Sequence, residues 1–191
     1  MRSKIVTLAT IALSVLFTAI LVFPGCSSGD GGDFCEANCP AVVAAGCSNG
    51  PADQADCLTG CNTAQTTCPS QFNALAGCAG TDATFSCDAY DSPAPAGCVT
   101  ENTLLNACLQ GVSEFCVDGC PAVLAAACSN GPSDLADCLS GCDAAATSCP
   151  TEFTAMQTCA GASAAFACDA NNAPYPTGCQ AENDALMLCM Q

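Results

Sequence analysis

Beyond its fourth residue the chain contains no lysine, arginine or histidine, and tryptophan is absent throughout. Each absence removes a class of function. A protein without basic side chains cannot neutralise phosphate and release its counter-ions, so nucleic acid is excluded as a partner. Nor can it clamp a phosphate or carboxylate substrate, and general-base work is left to Asp and Glu alone. With no His, and with no Cys-x2-Cys or Cys-x-Cys pair, the usual zinc spacings are missing. No nucleophile elbow, Gly-rich phosphate loop or Ser/Cys–His pair is present, so the chain reads as a non-enzyme without a cofactor. Large apolar residues are also scarce. Residues 31–111 hold twelve, among them Phe34, Phe72, Leu75 and Leu105. Each contributes at most about 1.5–3 kcal/mol on burial. The opposing backbone entropy is about 1–2 kcal/mol for every residue ordered. Such a core cannot hold a domain by itself.

What the chain does have is cysteine, 21 in 191 residues, together with 18 Asp and Glu and abundant Ala and Gly. The cysteines fall in two sets. Those at 35, 39, 47, 57, 61, 68, 78, 87, 98 and 108 recur at an offset of 81 residues without insertion or deletion. About 41 of the 75 aligned places are identical, so 34–111 and 112–191 are an internal duplication and not a coincidence of composition. Cys26 alone stands outside the repeats. Removing it turns an odd cysteine count into an even one, ten per repeat, which is the arithmetic of a disulfide framework. Disulfides persist in oxidising compartments, so this count also carries an address.

The local pattern is helical. Cys35-x3-Cys39 and Cys57-x3-Cys61 each place two sulfurs one turn apart on one helical face. Ser48-Asn49-Gly50-Pro51 is a stop and restart, with Pro51 suited to a first helical position and Asp53 to a first turn. These signals predict helices near 34–47, 52–67, 70–79 and 100–110, and an irregular, Pro-rich stretch at 80–98. The second copy predicts 115–128, 133–148, 151–160 and 181–190. Ala and Leu dominate and β-branched residues are few, so no strand is expected. The fold class is therefore all-α: two tandem disulfide-rich modules of about four short helices each. An antiparallel first hairpin inverts the order of its cysteines, which predicts Cys35–Cys61 and Cys39–Cys57, and likewise Cys116–Cys142 and Cys120–Cys138. The other six cysteines of each copy allow 15 pairings.

Residues 1–25 differ from everything that follows. Arg2 and Lys4 precede an apolar run from Ile5 to Phe23, then Pro24-Gly25-Cys26. A basic start, a hydrophobic stretch and a small residue before a cleavage point are the features of an export signal. With Cys26 after Gly25, this segment resembles a bacterial lipoprotein signal, with Phe23 and Pro24 where that family has Leu and a small residue. The resemblance implies a lipid on the Cys26 thiol and cleavage before it. Ser27 in place of the Asp that retains many lipoproteins at the inner membrane then implies the outer membrane. An uncleaved anchor helix and ordinary secretion are the alternative readings. All three leave the remainder outside the cytoplasm. Ser27-Ser28-Gly29-Asp30-Gly31-Gly32 reads as part of a flexible tether over 26–33.

The paired Cys-x3-Cys motifs at 35–61 and 116–142 also resemble those of the alpha-hairpinins, helical-hairpin peptides that include protease inhibitors and antimicrobials. That resemblance implies a shape only. Cys47 and Cys128 are additional here, and no basic residue is available for a trypsin-like pocket or an anionic membrane.

Beyond residue 4 the net charge is −18. So acidic a chain calls for counter-ions, a cationic ligand or a basic partner, another envelope or surface protein for instance. Repeated carboxylates at Asp53/Asp134, Asp56/Asp137, Asp88/Asp169 and Glu101/Glu182 are the candidate calcium ligands, since Ca²⁺ takes hard oxygen donors. Asp53, Asp56, Asp134 and Asp137 are the nearest to a site, although no Asp-x-Asp-x-Asp-Gly loop is present. Asp88 and Asp169 would be the residues of a carboxylate-dependent hydrolase. The reading that needs least is a non-catalytic, acidic binding or structural module.

Overall fold

The structure, a computed structural model, describes residues 31–88, 91–161 and 164–191. The segment read as a signal, Cys26, the part of the expected tether up to Asp30, and Tyr90 lie outside the described residues. Each repeat follows one plan. In the first, α1 (Gly31–Ala44) and α2 (Gln54–Thr67) form an antiparallel hairpin, and α3 (Pro69–Ala79) follows. A short β-hairpin, β1 (Phe85–Cys87) and β2 (Pro93–Pro95), then leads into α4 (Val99–Leu109). The second repeat gives α5 (Glu114–Ala125), α6 (Leu135–Ser148), α7 (Pro150–Ala160), β3 (Phe166–Cys168), β4 (Pro174–Pro176) and α8 (Gln180–Cys189). Both modules are predominantly helical and disulfide-rich.

The two β-hairpins correct the expectation of no strand. They are antiparallel, with Phe85 opposite Pro95 and Phe166 opposite Pro176. Three-residue strands bounded by prolines carry no readable alternation, and proline is tolerated because a two-stranded sheet is all edge. What holds each hairpin is the turn between its strands. The Asp88 carboxylate accepts from Ser92 N at 2.9 Å, and that of Asp169 accepts from Asn171 N and Ala173 N, both at 2.8 Å.

Helix boundaries shift for local reasons. Asp53 is the N-cap of α2, not a first-turn residue: its backbone is extended and its side chain accepts from Asp56 N at 2.9 Å. Asp56 in turn accepts from Ala52 N at 3.0 Å, which ties the residue before the cap to the first turn. Pro51 therefore stays in the turn, and Pro69 is the proline that opens a helix, α3. α1 starts at Gly31, inside the segment read as a tether, and stops at Ala44, because Gly46 takes the left-handed conformation with φ +68°.

The interior is small and sulfurous. Cys35, Cys39, Cys68 and Cys98 are buried in the first repeat beside Phe72, Leu75 and Leu105. Phe34 meets Phe72 edge-on, ring centres 5.6 Å apart, and Phe115 meets Phe153 in the same way at 5.8 Å. Val99 and Leu109, two of the twelve large apolar residues of the first repeat, are exposed.

The repeats pack through α4. Ala107 enters the core of the second repeat with Val117 and Leu139, and Leu104 packs against that cluster. Gln71 Nε2 donates to the Asp118 carboxylate at 3.2 Å across the same junction. Among the described residues, no helix is long and apolar enough to cross a membrane.

Candidate functional site

The structure pairs Cys35 with Cys61 and Cys39 with Cys57, and Cys116 with Cys142 and Cys120 with Cys138. It also selects among the fifteen arrangements of the remainder. Cys47 joins Cys87, Cys68 joins Cys108 and Cys78 joins Cys98, with the same three bonds in the second copy. Each bond ties different elements. Two close the α1–α2 hairpin, one pins β1 to the end of α1, one ties the α2–α3 junction to α4, and one ties α3 to the start of α4.

The candidate acids are not brought together. Asp53 and Asp134 cap helices, Asp56 and Asp137 complete those caps, and Asp88 and Asp169 anchor hairpin turns. Glu101 and Glu182 lie in the first turns of α4 and α8, where a carboxylate faces the positive end of the helix dipole. Among the described residues, every cluster of three possible metal ligands holds one carboxylate and the two sulfurs of a disulfide. A sulfur so bonded is not the thiolate that binds a metal.

What the fold does build is a cleft, twice. In each repeat the helical hairpin forms one wall, the β-hairpin closes one end, and the fourth helix lies along the other side. The volumes are about 430 Å³ in the first repeat and about 400 Å³ in the second. Phe34, Val42, Phe72 and Phe85 give the first its apolar lining, and Asp56 stands exposed at its mouth. The β-hairpin end is set by Ser48-Asn49-Gly50-Pro51. There Asn49 N donates to Asp91 O at 3.0 Å, and Ser48 Oγ donates to the Asp91 carboxylate. Gly50 allows the approach: a Cβ on it would lie 3.1 Å from Cys47 O and 3.5 Å from the Pro93 ring.

All twenty residues lining the second cleft are the 81-residue counterparts of residues lining the first. Seventeen of those pairs are the same amino acid, against about 41 of 75 over the aligned repeats, so the cleft has drifted less than its surroundings. Cysteines and core phenylalanines account for part of that identity. Exposed Asp56/Asp137 also serve the helix caps, whereas half-buried Val42/Val123 and Asn102/Asn183 are explained in neither way.

Gly60 and Gly141 carry the clearest signal. Both sit in mid-helix, in α2 and α6, where glycine costs roughly 0.5–1 kcal/mol against alanine. Yet a Cβ on either would meet nothing within 4 Å. Neither is needed for packing, and both line the cleft. Their effect is to leave the wall bare. Neither is among the residues expected at a site, although two mid-helix glycines at the repeat offset are legible in the sequence.

Fold and cleft together define a class: a disulfide-stabilised, predominantly helical module, duplicated in tandem. Comparison with protein-family models, with curated proteins and with solved structures finds no match for the chain.

Proposed function

We propose that the chain is a lipid-anchored protein of the bacterial cell envelope, facing away from the cytoplasm with the outer membrane as its site. There it acts as a non-catalytic binding module. Its two clefts each take an apolar side chain of a partner, flanked by lysine or arginine. The address is supported by the lipoprotein-like segment ending at Cys26 and by the parity of the remaining cysteines. Ten disulfides belong to an oxidising compartment. Binding is supported above all by Gly60 and Gly141, which cost helix stability and fill no internal need. The preference for a cation follows from Asp56 and Asp137 at the cleft mouths and from a charge of −18, with no basic residue, beyond residue 4.

The test uses two probes of equal chain length and opposite charge, octyltrimethylammonium and octyl sulfate, titrated by calorimetry. The expected result is two sites per chain for the cation, with weak or no binding of the anion. The double variant Gly60→Leu/Gly141→Leu should abolish cation binding and melt no lower than the parent, since leucine is the better helix former. Equal binding of both probes, or full retention by the double variant, would overturn the reading.

A further inference from the structure

The two clefts are nearly equal in volume, about 430 and 400 Å³, and their linings differ at three of the twenty paired positions. Asn38, Leu75 and Asn106 of the first are Gly119, Met156 and Met187 in the second. No difference makes the second cleft more polar, and two remove a carboxamide. Four asparagines line the first cleft, Asn38, Asn49, Asn102 and Asn106, and one lines the second, Asn183. What separates the clefts is polarity, not size.

The carboxamides of the first cleft have different tasks. That of Asn38, only 3 % exposed, is spent inside the fold. It donates to Phe34 O at 3.1 Å and to Gly80 O at 2.9 Å, and it accepts from Ala83 N at 3.2 Å. Asn102 and Asn106 stand one turn apart on the same wall of α4, the first half-buried and the second exposed on the rim. Among the described residues neither carboxamide has a side-chain hydrogen-bond partner. Each can donate and accept, so the pair matches the N–H and C=O of an amide in a ligand.

The second cleft keeps Asn183 but sets Met187, 51 % exposed, one turn beyond it. Met156 takes the buried place of Leu75. Both thioethers are unbranched and polarisable, the kind of side chain that moulds to an apolar partner. Gly119, within α5, adds a bare stretch of wall. A Cβ on it would lie 3.8 Å from the Phe166 ring, an ordinary contact, so the packing does not demand glycine there.

We propose that the clefts are specialised. The first holds an apolar side chain presented together with its peptide bond, and the second holds a hydrocarbon stretch with no polar atom in it. Asn106 and Met187 set the difference. This rests on the reading of the clefts as binding sites and adds what each prefers. An amide placed against Met187 loses its water and gains no partner, whereas against Asn106 it exchanges one hydrogen bond for another. Hydrocarbon placed against Asn106 strips that carboxamide of water without return.

The test reads each cleft alone by calorimetry, using Gly141→Leu to fill the second and Gly60→Leu to fill the first. The probes are octyltrimethylammonium and butyramidopropyltrimethylammonium, the same cation on a chain of equal length that an amide interrupts. The ratio of amide to alkyl affinity should be about tenfold higher in Gly141→Leu than in Gly60→Leu, as one satisfied hydrogen bond requires. Adding Asn106→Met to Gly141→Leu should lower that ratio, and adding Met187→Asn to Gly60→Leu should raise it. Both residues are exposed on helices, so neither exchange disturbs the core. Equal ratios in the two clefts would overturn the specialisation and leave both as binding sites. Ratios that ignore the two exchanges would overturn the roles given to Asn106 and Met187. A parent chain that binds neither probe would remove the clefts as sites, and the specialisation with them.

Discussion

Ala127 holds a backbone conformation that costs it stability. Its φ is +53°, in the left-handed region, at the place where the first repeat has Gly46 with φ +68°. Both residues end the first helix of their repeat, and only glycine reaches that region without a Cβ clash. Ala127→Gly should therefore stabilise the second repeat by about 1 kcal/mol, less the extra freedom glycine gives the unfolded chain. Chemical denaturation reads this as a higher midpoint, and a lower one would show that the turn is held by something else. Asp91 and Asn172 are also left-handed, with φ +57° and +60°, but they occupy hairpin turns where Asp and Asn are tolerated. Gly60 and Gly141 present the opposite case, glycine in an ordinary helical conformation that alanine would hold better.

The disulfides act on elements by fixing their separation where the apolar interior is too small to do so alone. The α1–α2 hairpin has Cα–Cα distances of 5.7 and 5.8 Å at its two bonds, so the helices cannot part or slide. Each bond closes a loop of 18 to 40 residues, for which the chain-entropy estimate is about 3–4 kcal/mol. Replacing the Cys39–Cys57 pair by two alanines should lower unfolding free energy by about 3 kcal/mol. Equilibrium denaturation measures the loss, and a variant with the parent's midpoint would mean that the pair contributes nothing. The β-hairpins show the same logic in a weaker element. A two-stranded sheet is marginal alone, and here Cys87 and Cys168 fasten it to the end of the preceding helical hairpin.

Taken entire, the molecule is two stapled modules joined through Ala107, Leu104 and the Gln71–Asp118 hydrogen bond, with acidic groups over its surface. Such a surface repels anionic lipid. In the proposed setting only an acyl chain on Cys26 touches the membrane, and the tether sets the reach of the clefts. Metabolic labelling with a radioactive fatty acid tests this: the full chain expressed in a bacterial host should take up label, and Cys26→Ser should not. Label retained by Cys26→Ser, or none in the parent, would remove the lipid anchor and leave an uncleaved helix or a secreted form. Neither outcome would touch the clefts.

The class of fold was written in one dimension. Helical content, the duplication and its boundaries follow from periodicity, from Ser-Asn-Gly-Pro turns and from ten cysteines recurring at one offset. These are local or arithmetical signals that need no knowledge of distant contacts. The expectation that nucleic acid is no partner rests on composition in the same way. Three things required the folded chain. The β-hairpins did, because their three-residue strands are held by turn hydrogen bonds and a cross-link rather than by propensity. The pairing of Cys47, Cys68 and Cys78 did, because their partners lie 20 to 40 residues away across elements whose packing no spacing reveals. The cleft did too, since Gly60, Phe85, Pro93 and Asn102 become neighbours only once helices and hairpin have closed around them. A residue that costs stability can be counted along a chain, but the space it leaves open exists only between elements.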